Sequence, residues 1–344
     1  MNQKLVLVFL CSLPLFSFGQ NTIDSLVSEG IAFHDKGEYE KAISTYEKAL
    51  LLDSLSGTVN YEMALSYMSL EEYEKAITYV DKIPESDTRD MLQGIVLKGS
   101  ALDMLGRSEE SISFFEEMIE KGFETYLLYY NLAITQLKLG RQEDSEMNII
   151  NALSFNINHA SSHLILATLQ SDKGNPVQSL LATYYFLFLE PNTQRAIEAF
   201  QLMEENYGRN VEKDGKESTI KYSPDEESPF SPIELQISLL SLSSQLLDEV
   251  DLGVDIVIEK DEQKEFLNKT ESFFDAFKAV KKKKREEDIW WTFYVPFYES
   301  LVKSDHLETF CNYISMSVYE GSAKWLEENE SKLDEFSQWL QEEE

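Results

Sequence analysis

Between residues 23 and 193 the apolar positions fall on a helical period, and the helices come in pairs. Polar turns of one design separate the two members of each pair: DKGEYEKAI at 35–43, SLEEYEKAI at 69–77, MLGRSEESI at 104–112, KLGRQEDSE at 138–146 and DKGNPVQSL at 172–180. Helix pairs recurring every 34 or 35 residues predict stacked hairpins, each hiding its apolar face against its neighbours. Small residues stand at the eighth position of every unit, at Gly30, Ala64, Gly99, Ala133 and Ala167, and let the first helix approach the second closely. Three residues on come Phe33, Tyr67, Leu102, Gln136 and Gln170. The second helix carries Ala42, Ala76, Ser111, Ser145 and Ser179, then Tyr46, Val80, Phe115, Ile149 and Thr183. Gly37, Gly106, Gly140 and Gly174 mark the turns, where a left-handed backbone costs glycine little. Pro176 falls in the first turn of a helix, where its missing N–H does no harm.

This pattern resembles the tetratricopeptide repeat (TPR), most fully in the first unit through Gly30, Phe33, Gly37, Tyr39, Ala42, Tyr46 and Ala49. The resemblance covers about 23–193. The proline expected after the second helix occurs only as Pro191, Ser54 takes its place in the first unit, and the tryptophan typical near the start is missing. The resemblance implies an all-α, right-handed superhelix of five helical hairpins plus a capping helix. It also implies a non-catalytic interaction role, with the first helices lining a concave groove that takes a peptide or helix of a partner protein. In that geometry the fifth, ninth and twelfth positions of each unit point into the groove. They are Val27, Ile31 and His34; Tyr61, Leu65 and Met68; Val96, Ser100 and Asp103; Tyr130, Ile134 and Leu137; Leu164, Thr168 and Ser171. The expected binding set is Val27, Ile31, His34, Tyr61, Leu65, Met68, Tyr130, Ile134 and Leu164, of which some, Ile134 included, also read as packing between repeats, as Val96 does. Repeats of this family that clamp a terminal carboxylate use Lys and Asn here, whereas the first unit offers Val27 and Ile31. A stripe of aliphatic side chains with two tyrosines and a pliable methionine suits apolar anchors on a helix or extended peptide.

The remainder of the chain reads as helical but matches no family known to us. Ala196, Phe200, Met203 and Tyr207 have the spacing of a capping helix over 193–207. The stretch 208–232, with its prolines, glycines and charges, reads as a flexible linker. A C-terminal α-helical domain is expected over 233–344, opened by a capping box at Ser231-Pro232-Ile233-Glu234. Phe266, Phe273, Phe274 and Phe277 mark one of its helices.

Charge narrows the partners. A formal net charge of −32 repels nucleic-acid phosphates and favours neutral to basic protein surfaces. The one basic cluster, Lys281 to Arg285, runs straight into Glu286-Glu287-Asp288 and reads as a solvated helix end. The N-terminus reads as a secretory signal over 1–19: Lys4, an apolar run from Leu5 to Phe18 broken by Pro14, then small residues before Gln20. Cys11 is a weak lipidation candidate because Leu10 precedes it. Removal of the signal leaves Cys311 as the sole cysteine and no intramolecular disulfide, which suits a bacterial periplasm or outer surface. No other segment is apolar and long enough to span a membrane.

Candidate chemistry is sparse. Trp290-Trp291-Thr292-Phe293-Tyr294-Val295-Pro296-Phe297-Tyr298 is the densest aromatic run. It reads as core, with an exposed platform for a sugar or peptide as the alternative. His159 and His163 have a metal-pair spacing but no third ligand nearby. The stretch Asp248 to Glu259 imitates a calcium loop, with Val250 and Leu252 where oxygen ligands belong. No nucleophile motif, phosphate loop or dinucleotide fingerprint occurs, so no enzyme, cofactor or metal is expected. The alternative function is a hydrolase or sugar-binding protein with its site in the aromatic C-terminal half. Export gives a direct expectation: the protein recovered from an envelope fraction should have an intact mass that begins at Gln20. A mass retaining Met1, or a diacylglycerol on Cys11, contradicts it.

Overall fold

The computed structural model of this protein describes residues 16–214, 217–225, 227–249, 261–280 and 288–343. Most of the expected export segment, the basic cluster at 281–285 and the calcium-loop imitation beyond Glu249 lie outside the described residues. The chain divides into two compact units, Met1–Asn148 and Ile149–Glu344. The architecture is all-α apart from one short β-hairpin among the described residues.

The first unit is built from α1 (Phe16–His34), α2 (Tyr39–Leu50), α3 (Gly57–Ser69), α4 (Tyr73–Val80), α5 (Thr88–Met104), α6 (Ser108–Glu120), α7 (Tyr126–Lys138) and the start of α8 (Gln142–Phe155). Helix α1 crosses the expected cleavage position after Gly19. Each turn between paired helices closes with the same bond. A backbone N–H donates five residues back, from Glu38 to Phe33, Glu72 to Tyr67, Arg107 to Leu102 and Arg141 to Gln136, each at 2.9–3.0 Å. That bond terminates a helix when the residue before the donor is left-handed. Gly37, Gly106 and Gly140 supply the conformation at φ 76–77°. In the second unit of the repeat the position falls to Glu71, at φ 59°, the one non-glycine with positive φ among the described residues.

Between the helices of a pair, size on one side answers size on the other. A Cβ added at Gly30 would sit 2.2 Å from Tyr46 Cε1, and one at Gly99 2.1 Å from Phe115 Cζ. Where the eighth position is alanine, the matching second-helix residue is smaller, at Val80, Ile149 and Thr183. Serine hydroxyls close the remaining backbone acceptors: Ser111 Oγ donates to the Gly99 carbonyl at 2.7 Å and Ser145 Oγ to that of Ala133 at 2.9 Å.

Successive first helices pack directly, α1 on α3, α3 on α5 and α5 on α7, whereas α2, α4 and α6 approach one another far less. The side chains that cross each layer have matching lengths. Short groups suffice on the first-helix face: His34 Nδ1 lies 2.9 Å from Ser66 Oγ, Thr58 Oγ1 donates to Asp90 at 2.6 Å, and Ser100 Oγ reaches Asn131 at 3.4 Å. Between second helices arginines must stretch, Arg107 to Glu74 at 3.1 Å and Arg141 to Glu109 at 2.6 Å. These exposed pairs contribute little stability. Their reach marks the second-helix layer as the wider side, so the first helices form the inner face of this unit.

The second unit holds α9 (Ala160–Asp172), α10 (Pro176–Leu189), α11 (Gln194–Gly208), β1 (Val211–Asp214), β2 (Glu217–Ile220), α12 (Ser231–Glu249), α13 (Glu262–Asp275), α14 (Val295–Lys303), α15 (Leu307–Ile314), α16 (Glu320–Glu328) and α17 (Glu330–Glu343). A 3-10 turn (Ala276–Ala279) follows α13, and a π-helical turn (Trp290–Tyr294) precedes α14. The fifth hairpin, α9 with α10, keeps the repeat's turn, with Gly174 at φ 81° and the Asn175 N–H donating to Gln170. Yet it belongs to this unit. Helix α10 is buried on nearly every side, and Tyr184 sits among the rings of Phe266, Phe273, Phe274, Tyr298 and Phe310 at 5.0–6.5 Å. Its hydroxyl is satisfied by Tyr207 (3.0 Å) and Thr270 (2.9 Å), and Tyr298 donates to the Leu181 carbonyl at 2.8 Å. Helix α11 buries Ala196, Phe200, Met203 and Tyr207, the four residues its spacing singled out. It is covered in turn by α12 and by the rings of Phe266 and Phe273.

The segment 208–232, expected to be a linker, carries structure and is not where the chain divides. Strands β1 and β2 pair antiparallel from Val211↔Ile220 to Asp214↔Glu217 and pack on α12. The Ser231 hydroxyl accepts from the Asp225 N–H at 3.0 Å, so it serves the incoming loop in place of the expected capping box.

Glu71→Gly should relieve a left-handed backbone that costs a side-chain-bearing residue about 1–2 kcal/mol. Glycine's freer unfolded chain offsets part of this, so chemical denaturation should register a gain of about 1 kcal/mol or less. Gly30→Ala drives a methyl into the Tyr46 ring and should cost about 1–3 kcal/mol in the same measurement. Equal stability of both variants contradicts the packing described.

Candidate functional site

The first helices of the first unit carry eight of the nine residues expected to bind. Val27, Ile31 and His34 stand on α1, Tyr61, Leu65 and Met68 on α3, and Tyr130 and Ile134 on α7. All eight are half-buried. Leu164, on α9 of the second unit, is also half-buried. Of the wider set, Ser171 is buried against Asn206, and Asp103 is held by Lys138 at 3.2 Å.

Their roles differ. Val27, Tyr61, Leu65 and Met68 lay part of their surface on the core around Tyr46, Met63 and Ala64, and Val96 does the same on the cluster around Ile95 and Phe115. They therefore serve both packing and surface. His34 bridges α1 to α3 through Ser66 and sets its ring edge-on to Tyr39 at 5.0 Å. It is a strut more than a free contact. Burial, and then the carboxylates of Glu62 and Asp90, push the Tyr61 hydroxyl up, so it stays a neutral donor. Those two acids were not among the expected site residues. Asp90 is buried and satisfied by Thr58 and by Arg89 (3.1 Å). The repeat register places neither acid at a groove position; Glu62 is half-buried on α3 and Asp90 is buried on α5.

The other candidates resolve into structure. His163 is buried, with Nδ1 2.6 Å from the Tyr294 hydroxyl and Nε2 2.6 Å from the Ile157 carbonyl. A carbonyl only accepts, so Nε2 carries the proton and Nδ1 takes the hydrogen of Tyr294. Both nitrogens are occupied, which rules out the His159–His163 metal pair. Trp290 and Trp291 are buried, and Trp291 stacks on Phe230 at 5.2 Å. The aromatic run is thus filled core, with no tryptophan platform for a sugar.

The class these features define is an all-helical repeat protein whose inner first-helix face is apolar and half-exposed. A tetratricopeptide repeat profile matches residues 23–54. The TPR repeat-containing protein MJ1428 of Methanocaldococcus jannaschii is 28% identical over 127 residues, 36% of this chain and 22% of that protein. The photosystem I assembly protein Ycf3 of Prochlorococcus marinus is 31% identical over 111 residues, 29% of this chain and 64% of its own length. Each match thus spans less than two thirds of the relative. Among solved structures, pilF of Pseudomonas aeruginosa superposes with a TM-score of 0.45 at 19% identity, covering 55% of this chain and 90% of that one. The first hairpin of this chain matches the tetratricopeptide repeat family, and the hairpins that follow share its turn.

His163 also sets a pH dependence. Burial pulls its pKa down to about 3 from 6.5. The unfolded chain takes up the proton as pH drops through 6.5, while the folded chain resists until about 3. The buried neutral ring is therefore an asset above pH 6.5 that fades, by on the order of a few kcal/mol, as pH falls toward 3. His163→Asn should be less stable than the parent at pH 7, and the gap in melting temperature should narrow between pH 6.5 and 4. A constant gap contradicts a neutral buried imidazole.

Proposed function

We propose that this chain is a non-catalytic protein-interaction scaffold of the cell envelope, and that the inner face of its first four hairpins binds a helix or extended segment of a partner protein. The repeat family supports an interaction scaffold in general. The observation that carries the finer reading is the line of half-exposed apolar side chains on the tighter helix layer: Val27, Ile31, Tyr61, Leu65, Met68, Tyr130 and Ile134. A half-exposed row on rigid helices offers area without a large ordering cost on binding. Tyrosines within it act as stiff anchors with a polar tip. The chain's strong acidity favours a partner segment that also bears lysine or arginine.

The envelope assignment rests on Lys4, the apolar run that follows it, the small residues before Gln20, and a cysteine content that leaves no disulfide. No described helix is long and apolar enough to cross a membrane. Cys311, the cysteine that would remain, is buried, and burial pushes its thiol up, away from reactivity. The reading of a sugar site loses its main support with the burial of Trp290 and Trp291.

Replacing Tyr61 and Tyr130 together by alanine should weaken partner capture about tenfold or more, roughly 1.4 kcal/mol. Helical content should be kept, with some loss of stability, because Tyr61 also packs on the core. Undiminished capture by the folded double variant moves the binding site off this face.

A further inference from the structure

In the loop from α2 to α3, Leu51, Leu52 and Leu55 are 86%, 53% and 65% exposed. The loop is held by its own hydrogen bonds. The Leu52 and Asp53 N–H groups donate to the Ala49 carbonyl at 2.9 and 3.1 Å, and the Leu55 N–H donates to the Asp53 carboxylate at 3.0 Å. One exposed leucine is ordinary, but three on five residues of ordered backbone form an apolar knob. Beside them Lys48, exposed on the last turn of α2, makes no ion pair among the described residues.

The next loop between hairpins opens a notch. Pro84 has no N–H with which to continue α4, and it disfavours helical angles at the residue before it. Helix α4 therefore stops at Val80 after 8 residues, against 12 in α2 and 13 in α6, about one turn short. The space left there, about 340 Å³, is floored by the buried Ile83 and Ile95 and walled by Met91, Phe114 and Phe123, which stay half-exposed. Its rim charges mostly cancel, Lys98 against Asp81 and Lys121 against Glu117, both at 2.6 Å. Glu85, exposed on the rim, meets no cation among the described residues.

Knob and notch answer each other. A cavity of about 150 Å³ already holds a benzene-sized group, so the notch has room for two leucine side chains. The unpaired cation beside the leucines matches the unpaired acid beside the notch. Both features lie on the edge where a second helix hands over to the next first helix. A two-fold axis between two copies therefore brings each knob to the other's notch in one closed contact, whereas an unlike partner would need to match both by chance. Copies of a chain with net charge −32 repel each other, and this contact falls where the local charges are already paired. We propose that this edge joins two copies of the chain, with Leu51, Leu52 and Leu55 of each seated in the notch of the other and Lys48 meeting Glu85 across the contact. The first-helix face takes no part, so each copy keeps its groove open.

Sedimentation equilibrium of the full chain tests this. The parent should pass from monomer to dimer below about 0.1 mM. Leu51→Ser with Leu55→Ser should weaken the dimer about tenfold or more and keep the helical content, because both side chains face water in the single chain. Lys48→Glu and Glu85→Lys should each weaken it about threefold or more, since a two-fold contact doubles the effect of one exposed pair. The two reversals combined in one chain should restore it. Glu116→Lys makes the same charge change as Glu85→Lys but stands across α6 from Phe114, and it should not weaken the dimer. Raising salt from about 50 mM to about 500 mM should tighten association, because repulsion between copies is screened and apolar burial is not. A monomer throughout overturns the proposal. So does a dimer indifferent to the leucine changes, which places the contact elsewhere. A leucine-dependent dimer that the combined reversal fails to restore takes the leucines out of the notch and overturns it as well. Weakening by salt, the mark of a contact held by charge, does the same.

Discussion

The close approach of a small residue on one helix to a large one on the next is the contact on which the repeat depends. At Gly30 and Gly99 there is no space even for a methyl group, because the rings of Tyr46 and Phe115 fill it. Dispersion contacts at this spacing are individually weak and collectively large, and they vanish if the helices part. The approach also fixes the angle at which the chain must reverse. A left-handed residue and a bond back to the fifth preceding carbonyl then recur at every turn. Even Glu71 is forced into that backbone, which shows local preference yielding to packing at one position.

From this contact follow the layers and their asymmetry. Paired helices of unequal approach stack so that first helices touch first helices, and serine, threonine and histidine are long enough to cross between them. Second helices stand further apart and are spanned by arginines. The inner face is thereby rigid, since its side chains are half-sunk in the core of their own repeats. Rigidity of that kind is what a binding surface needs if little ordering is to be lost on association.

The sequence's legibility followed its periodicity. Five turns and five small residues could be read because each recurs, and recurrence separates a structural requirement from coincidence. The four core residues of α11 were legible for the same reason. The second unit was harder, since its helices repeat nothing. Two signals were present and went unread. Residues Pro176 to Leu189, PVQSLLATYYFLFL, are apolar on all sides of a helix, the mark of an element surrounded by others. Asp214-Gly215 between two short runs is a hairpin signal, masked by the charge of the segment. What no pattern could supply was partnership across the chain: Tyr184 with Thr270 and His163 with Tyr294. Such pairs are set by folding and leave no spacing to find.

The claim that the first-helix face is the working surface is tested most directly by placing a photo-crosslinking amino acid at single positions and irradiating intact envelope preparations. Leu65, half-exposed on α3, samples that face, and Glu116, exposed on α6, samples the other side. The account predicts a discrete adduct from Leu65 and none from Glu116. An adduct of equal yield from both, or one from Glu116 alone, would contradict it.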